Sequence, residues 1–202
     1  MVSRYIPSDM ILGGSPQVRP PVMQRKRPVH MTPLERHNAP TILFVTLAIQ
    51  PRGPFLANAF FCEAFMAACV DADAWSVGFY LIMPDHVHLF CRPAKEPAIG
   101  IKRWSVYLKE RITKRLRAGD GEGGSAQPRP PGLHPPDGSP QVRPPGLRIP
   151  WRWQSDCWDT QMRNEEHYRN KWEHVRQNPV RKHLVKESDD WPWQGCLNVV
   201  EW

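Results

Sequence analysis

Two histidines separated by one residue, His86 and His88, are the side chains of this sequence whose spacing best suits a metal ion. Side chains of a β-strand alternate between the two faces of a sheet, so a strand here would place both imidazoles on one face. Neutral imidazole nitrogens are common ligands of divalent cations. Two histidines that only satisfy hydrogen bonds give the same pattern, and the pair alone leaves both interpretations open.

A second group of polar side chains lies on the helix predicted for residues 164–177. The apolar stripe of this helix, typical of packing on a core, consists of Tyr168, Trp172 and Val175. A separate polar stripe consists of His167, His174 and Asn178. Because His174 and Asn178 are four residues apart, they are neighbours on the helix surface and can face the histidine pair. The alternative is a solvated helix end with Asn178 as a C-terminal cap before Pro179.

Hydrophobic periodicity predicts the elements that position these side chains. Strands are predicted at 41–49, 75–83, 86–92 and 149–154, and helices at 55–70, 99–117 and 164–177. Pro84 and Asp85 form a turn signal, which makes the second and third strands a hairpin. The order β-α-β-β-α-β-α predicts an α+β fold, a ferredoxin-like antiparallel sheet with helices packed on one face. Trp104 is interpreted as a core residue, with stacking on a DNA base as the alternative.

Prolines divide the chain into one domain and two low-complexity segments. The eight residues 14–21 (GSPQVRPP) recur without change at 138–145. Segments of this composition cannot bury a core, so residues 1–38 are predicted to be a disordered Pro/Arg-rich segment. Residues 39–202 are predicted to form the domain, interrupted by a disordered Pro/Gly-rich insertion at about 119–148. The two segments are interpreted as passive linkers, or as arginine-bearing arms on a phosphate backbone.

The amino-acid composition indicates what kind of partner the protein binds and in which cellular compartment it is expected. Lys and Arg outnumber Asp and Glu by 27 to 20, which modestly favours a polyanionic partner. The five cysteines form no C-x-x-C pair, and reduced thiols are expected. No signal peptide and no apolar run of about 18 residues is present, so the expectation is a cytoplasmic, nucleoid-associated protein without a membrane span.

The hairpin sequence 83–89 (MPDHVHL) resembles the metal-binding signature of HUH single-tyrosine transposases, the family with an IS200-like transposase domain. Motifs further along the chain resemble the branch called REP-associated tyrosine transposases. These motifs are 158–159 (WD), 163–169 (RNEEHYR), 178–181 (NPVR), 184–185 (LV) and 190–193 (DWPW). The resemblance runs in the family's order from residue 41 to 193, interrupted by the Pro-rich insertion.

This resemblance implies a DNA-binding protein with a ferredoxin-like domain that acts in DNA transposition and recombination. It implies a Mg²⁺ or Mn²⁺ site formed by His86, His88 and Asn178. In the family, a helical tyrosine attacks a phosphate of single-stranded DNA, which gives a 5′-phosphotyrosine intermediate and a free 3′ hydroxyl. The implied partner is single-stranded or hairpin DNA, including repetitive extragenic palindromes, bound by a monomer or a homodimer.

The sequence departs from the family at the position of the nucleophile. The family's tyrosine lies four residues before the asparagine, and this chain has His174 there. Tyr168 is the nearest alternative hydroxyl, but it belongs to the apolar stripe of the helix. Two hypotheses follow: an active HUH nuclease with another nucleophile, or a catalytically inactive or domesticated DNA-binding descendant. The replacement at His174 favours loss of activity.

The second hypothesis assigns DNA binding to the predicted helix 99–117, whose outer face is cationic. Its basic residues are Lys102, Arg103, Lys109, Arg111, Lys114, Arg115 and Arg117. A more distant alternative is an interaction module stabilised by zinc at His86, His88 and His174, with Cys91 as an optional further ligand. Strand alternation opposes this alternative, because Cys91 would lie on the face away from the two histidines.

Overall fold

The computed structural model describes residues 41–118 and 149–200, together with Pro28, His30 and Trp202. The segments predicted to be disordered, 1–38 and about 119–148, lie outside the described residues except for Pro28 and His30. Within the described part of the chain, no helix is long and apolar enough to cross a membrane.

The described chain forms six strands, four helices and one 3-10 turn. The first half contains β1 (Leu43–Gln50), α1 (Ala59–Asp71), β2 (Trp75–Met83), β3 (His86–Pro93) and α2 (Ile101–Ala118). The second half contains β4 (Arg152–Trp153), β5 (Trp158–Gln161), α3 (Glu165–Arg176), α4 (Asn178–Arg181), the 3-10 turn (Ser188–Asp190) and β6 (Gln194–Cys196). The predicted hairpin is confirmed, because β2 ends at Met83 and β3 begins at His86.

The strands form one antiparallel sheet in which β1 and β3 are the central pair. Their register runs from Leu43 opposite Cys91 to Ala48 opposite His86. The sheet order is β4-β1-β3-β2-β6, and β5 shares the outer edge of β1 with β4. The order of the first four strands is that of a ferredoxin-like sheet. The α+β, ferredoxin-like fold class predicted from the sequence is confirmed.

One face of the sheet is covered by α1 and α2, as predicted. Alternate residues of the central strands point into this layer and are fully buried, among them Val45, Leu47, Val87 and Leu89. Trp104 of α2 is 1% exposed, and its indole Nε1 donates to the carbonyl of Ala72 over 2.7 Å. This environment confirms the interpretation of Trp104 as a core residue.

The opposite face is covered in part by α3, which adds a helix to the single helical layer expected from the sequence. Val175 is buried there, and the Trp172 and Tyr168 rings pack against Phe79 and Phe90 at centroid distances of 5.3 and 5.2 Å. Asn164 caps the helix, since its side chain accepts a hydrogen bond from the His167 amide over 2.8 Å. The apolar stripe predicted for this helix is therefore confirmed.

The sequence prediction differs from the structure mainly at the sheet edges. The strand predicted at 149–154 is reduced to β4, and the outer edge of β1 is completed by β5, which was not predicted. β5 and β6 are short strands without a continuous apolar pattern. Such edge strands are held by main-chain pairing with β1 or β2, so their own side chains give little periodic signal.

Replacing Trp104 by alanine is expected to lower the free energy of unfolding by about 3 to 5 kcal/mol, because it leaves a cavity beneath α2. The matched control is Tyr107→Ala on the same helix, where the side chain is exposed and the expected change is within about 0.5 kcal/mol. Urea unfolding followed by circular dichroism measures both. Equal stability of the two variants would contradict the core role of Trp104.

Candidate functional site

The β1–β3 register places His86 and His88 side by side on the sheet face that carries α3. Their Nε2 atoms are 3.1 Å apart, and the rings meet edge to face with centroids 4.6 Å apart. Cys91 is fully buried in the layer of α1 and α2, on the other face of the strand. Cys91 is therefore not part of the zinc alternative, in which it was an optional ligand beside the histidines.

Each histidine is oriented by a hydrogen bond at its other ring nitrogen. His86 Nδ1 lies 2.5 Å from a carboxylate oxygen of Asp85, and Arg52 donates to the second oxygen over 2.8 Å. His88 Nδ1 lies 2.9 Å from the hydroxyl of Thr46, its register partner on β1. With a proton on one Nε2, the 3.1 Å contact between the rings is a hydrogen bond. When Nδ1–H is the donor in both rings, both Nε2 lone pairs are available to a cation.

The spacing of the two Nε2 atoms fits one divalent cation. Two ligands about 2.1 Å from a metal ion and at right angles to each other lie about 3.0 Å apart. The contacts of Asp85 and Thr46 have the form of the outer hydrogen bonds that orient metal-binding histidines. These two residues were not singled out in the sequence, although Asp85 stands directly before the histidine pair.

Burial keeps the histidine pair neutral. Burial lowers the pKa of His88 to about 3, and electrostatic interactions with the ionisable groups of His86, His174, Lys171 and Arg181 act in the same direction. Burial also lowers the pKa of His86, although hydrogen bonding to Asp85 acts in the other direction. Both imidazoles are therefore uncharged at neutral pH, which is the form that binds a metal ion.

Helix α3 places His174, the residue at which the sequence resemblance implies the nucleophile, on the side of the histidine pair. Its side chain is exposed, and its protonation would lower the pKa of His88. The pKa of His174 is lowered by partial burial, with further contributions from Arg181 and Lys171. The hydroxyl of Tyr168 donates instead to the Val200 carbonyl over 2.8 Å, so this side chain is directed towards the C-terminal segment.

Asn178 is the first residue of α4, and the predicted alternative role as a helix cap is wrong. The C-terminal cap of α3 is Gln177, whose amide donates to the carbonyls of Glu173 and Val175. The side-chain oxygen of Asn178 accepts a hydrogen bond from Arg181. The charge of Arg181 also contributes to the lowered pKa of His88. Asn178 is therefore bonded to a residue that interacts electrostatically with the histidine pair. Its role as a metal ligand remains a prediction.

Four basic side chains have charges that lower the pKa of His86 or His88, and we call this group the cationic rim. They are Arg52 before α1, Lys171 on α3, and Arg181 and Lys182 at the end of α4. Lys171 also lies over the ring of Phe44, with its ammonium 5.3 Å from the ring centroid. The sequence analysis did not predict this rim, although Arg181 and Lys182 follow the Asn178-Pro179 pair after a single residue, Val180.

The basic residues predicted to bind DNA lie on α2, across the sheet from the histidines. Lys109 is 4% exposed, and its ammonium donates to the carbonyls of Gln154 and Asp156 over 3.0 and 2.9 Å. This buried position corrects the prediction of Lys109 as a phosphate contact, since its charge is used to hold the chain before β5.

The other basic residues of α2 differ in their surroundings. Arg111 and Arg115 both form ion pairs with Asp71 of α1. Lys102 lies 3.1 Å from a carboxylate oxygen of Asp156. The remaining side chains are exposed, namely Arg103, Lys114 and Arg117. DNA binding by this face stays a prediction.

The metal-free protein is expected to lose stability as the pH falls from about 6.5 towards 3. In this window the unfolded chain protonates His88 and the folded chain does not, because the folded-state pKa is lowered to about 3 from 6.5. The free energy of unfolding then falls by up to about 1.4 kcal/mol per pH unit for one histidine. Urea unfolding with a chelator, over this range, should show a shallower pH dependence for His88→Gln than for wild type.

The matched control for that experiment is His183→Gln, which replaces an exposed histidine after α4. Its pH dependence should follow that of wild type. Identical pH dependence in wild type and His88→Gln would show that His88 does not titrate with the lowered pKa.

Comparisons with known proteins place the fold. No protein-family model matches the chain, and no curated protein matches it. Among solved structures, the chain is similar to a REP-associated tyrosine transposase bound to a REP hairpin, with a TM-score of 0.53 and 18% sequence identity. The match covers 81% of this chain and 82% of the other. At this identity the likeness establishes a shared fold, the one that the sequence motifs implied.

Proposed function

We propose that this protein binds single-stranded or hairpin DNA on the sheet face that carries α3, at a divalent metal site formed by His86 and His88. The observation that carries the proposal is the pair of adjacent Nε2 atoms, 3.1 Å apart, in rings that are each oriented by a hydrogen bond at Nδ1. The solved structure with the same fold was bound to a hairpin. Its ligand supports the choice of DNA as the partner.

The metal would be Mg²⁺ or Mn²⁺, with His86 and His88 as ligands and Asn178 as the third. To act as a ligand, Asn178 would exchange its hydrogen bond from Arg181 for the metal. When bound, the ion supplies Lewis-acid polarisation of a phosphate oxygen. Asp85 and Thr46 then act as positioning residues, because each fixes the ring orientation of one histidine.

The cationic rim gives the phosphate backbone its binding surface. Lys182 and Arg181 are exposed at the end of α4, and Lys171 is half-buried on α3. Their charges lower the pKa values of the two histidines, which indicates a positive potential at the site. An approaching phosphate would be attracted by this potential. Contacts of this kind position a strand without reading its bases.

The residue at the nucleophile position argues for DNA binding without strand transfer. His174 carries an imidazole where the related transposases have a phenol, and a phosphoryl group on nitrogen has different leaving-group chemistry from one on oxygen. Tyr168 does not replace it, because its hydroxyl is bonded to the Val200 carbonyl and its ring packs on Phe90. We therefore propose that the wild-type protein retains the site but lacks its nucleophile.

Wild-type protein incubated with labelled hairpin DNA and Mn²⁺ is expected to give no covalent adduct on a denaturing gel, whereas His174→Tyr is expected to give one. The tyrosine variant restores a phenol on the exposed side of α3, beside the histidine pair. The control combines His174→Tyr with His86→Ala and His88→Ala, and it should again give no adduct.

The outcomes of this experiment separate the hypotheses. Cleavage by wild-type protein that is lost in His86→Ala and His88→Ala would replace our proposal by an active nuclease that uses another nucleophile. If neither wild type nor His174→Tyr forms an adduct, although both bind the hairpin, the assignment of position 174 is wrong. Failure of all variants to bind DNA would reject the proposed function itself.

The face that contacts DNA can be found by comparing Lys182→Gln with Lys114→Gln, two exposed lysines on opposite faces of the sheet. Loss of one phosphate contact weakens binding to all sequences. It also reduces the magnitude of the slope of log K against log salt concentration by about 1. We expect this change for Lys182→Gln. The reverse result, measured by fluorescence anisotropy over a salt series, would assign the DNA to α2.

A further inference from the structure

A second cluster of metal-binding side chains lies at the outer edge of β1, away from His86 and His88. Among the described residues, His30, Cys157 and Asp159 bring one ligand atom each to within 4.8 Å of one another. The three residues are far apart in the sequence, since 129 positions separate His30 from Asp159. Their approach is therefore produced by the tertiary structure.

Strand geometry explains the position of two of these side chains. Asp159 lies in β5, and Cys157 directly precedes that strand. The two are separated by one residue, and Cys157 is buried in the layer of α1 and α2. Asp159 is the register partner of Val45, whose side chain lies in the layer of α1 and α2. The cluster consequently occupies the face opposite to the histidine pair.

The cluster is shielded from solvent. Cys157 is fully buried, and the side chains of His30 and Asp159 are 15% and 8% exposed. His30 Nδ1 is hydrogen bonded to the carboxylate of Asp159, and His30 Nε2 lies 2.6 Å from a carboxylate oxygen of Asp156. One imidazole is thus held between two carboxylates, next to a buried thiol.

We propose that His30, Cys157 and Asp159 form a zinc site with three protein ligands. Thiolate, imidazole and carboxylate together are a donor set of Zn²⁺, and tetrahedral ligands of this ion lie about 3.4 to 3.8 Å apart. The ligand atoms lie within 4.8 Å of one another. The ion would replace the hydrogen bond between His30 and Asp159, whose two atoms would move apart to the ligand spacing. Asp156 would orient His30 through Nε2–H, just as Asp85 orients His86.

Charge and protons balance at this site. On binding, Zn²⁺ displaces the thiol proton of Cys157 and the proton between His30 and Asp159, and these protons leave to solvent. One thiolate and one carboxylate neutralise the ion. The carboxylate of Asp156 keeps its own partner, since Lys102 lies 3.1 Å away. A water molecule would complete the tetrahedron.

The site would fasten the N-terminal part of the sequence to the edge of the sheet. Residue 30 contributes the imidazole, whereas Cys157 and Asp159 come with β5. The bound ion would then stabilise the outer edge of β1, whose two partner strands are the short β4 and β5.

The test is Co²⁺ substitution in the full-length protein after removal of metal with a chelator. We expect one equivalent of Co²⁺ to give an intense thiolate-to-cobalt charge-transfer band together with the visible absorption of a tetrahedral ion. Zn²⁺ should displace it. The band should be absent in Cys157→Ser and weakened in His30→Ala, and the apparent affinity should fall about tenfold or more in Asp156→Asn.

Two controls keep this result separate from the proposed DNA function. Cys196→Ser removes an exposed cysteine outside the cluster and should leave the band unchanged. The double variant His86→Ala and His88→Ala should also retain the band, because that site has no thiolate. A circular dichroism spectrum like that of wild type establishes that Cys157→Ser is folded.

The proposal is overturned if folded wild-type protein shows no thiolate band with Co²⁺, or if Cys157→Ser keeps it. In that case the imidazole of His30 is a hydrogen-bonded link between Asp156 and Asp159 and binds no metal. A band that disappears in the His86 and His88 variant would also reject it, because the thiolate would then belong to the other site.

Discussion

The register between β1 and β3 is the constraint on which the candidate site depends. It sets Thr46 opposite His88 and Ala48 opposite His86, so that both imidazoles face α3. A shift of one residue would send the histidines into the apolar layer beneath α1 and α2. Burial of Val87 and Leu89 opposes that shift. The hydrophobic core on one face of the sheet therefore fixes the geometry of the polar site on the other.

Neutrality is the second property that the fold imposes on the site. Positive groups surround a pair of half-buried imidazoles, and burial together with those groups removes the proton from His88 near neutral pH. The result is an uncharged donor pair inside a positive rim. Such an arrangement suits a cation held between the rings together with phosphate oxygens that approach from the rim.

The two faces of the sheet use their basic residues differently. On α2, Lys109, Arg111 and Arg115 are engaged by backbone carbonyls or by Asp71, and they connect elements of the fold. Around the histidines, the exposed Arg181 and Lys182 follow the last turn of α3. A cationic stripe in a sequence therefore indicates a charged helix face without revealing which charges remain accessible.

The sequence by itself determined the hairpin, the α+β class, the apolar stripe of α3 and the shared face of His86 and His88, because these follow from local periodicity. The resemblance to transposases also predicted that His174 stands where that family has its tyrosine. Only the tertiary structure decided that α3 covers the histidine face, that Lys109 is buried and that His30 meets Cys157 and Asp159. These features join residues distant in the chain, and their positions depend on packing and main-chain pairing, which leave no periodic pattern in the side chains.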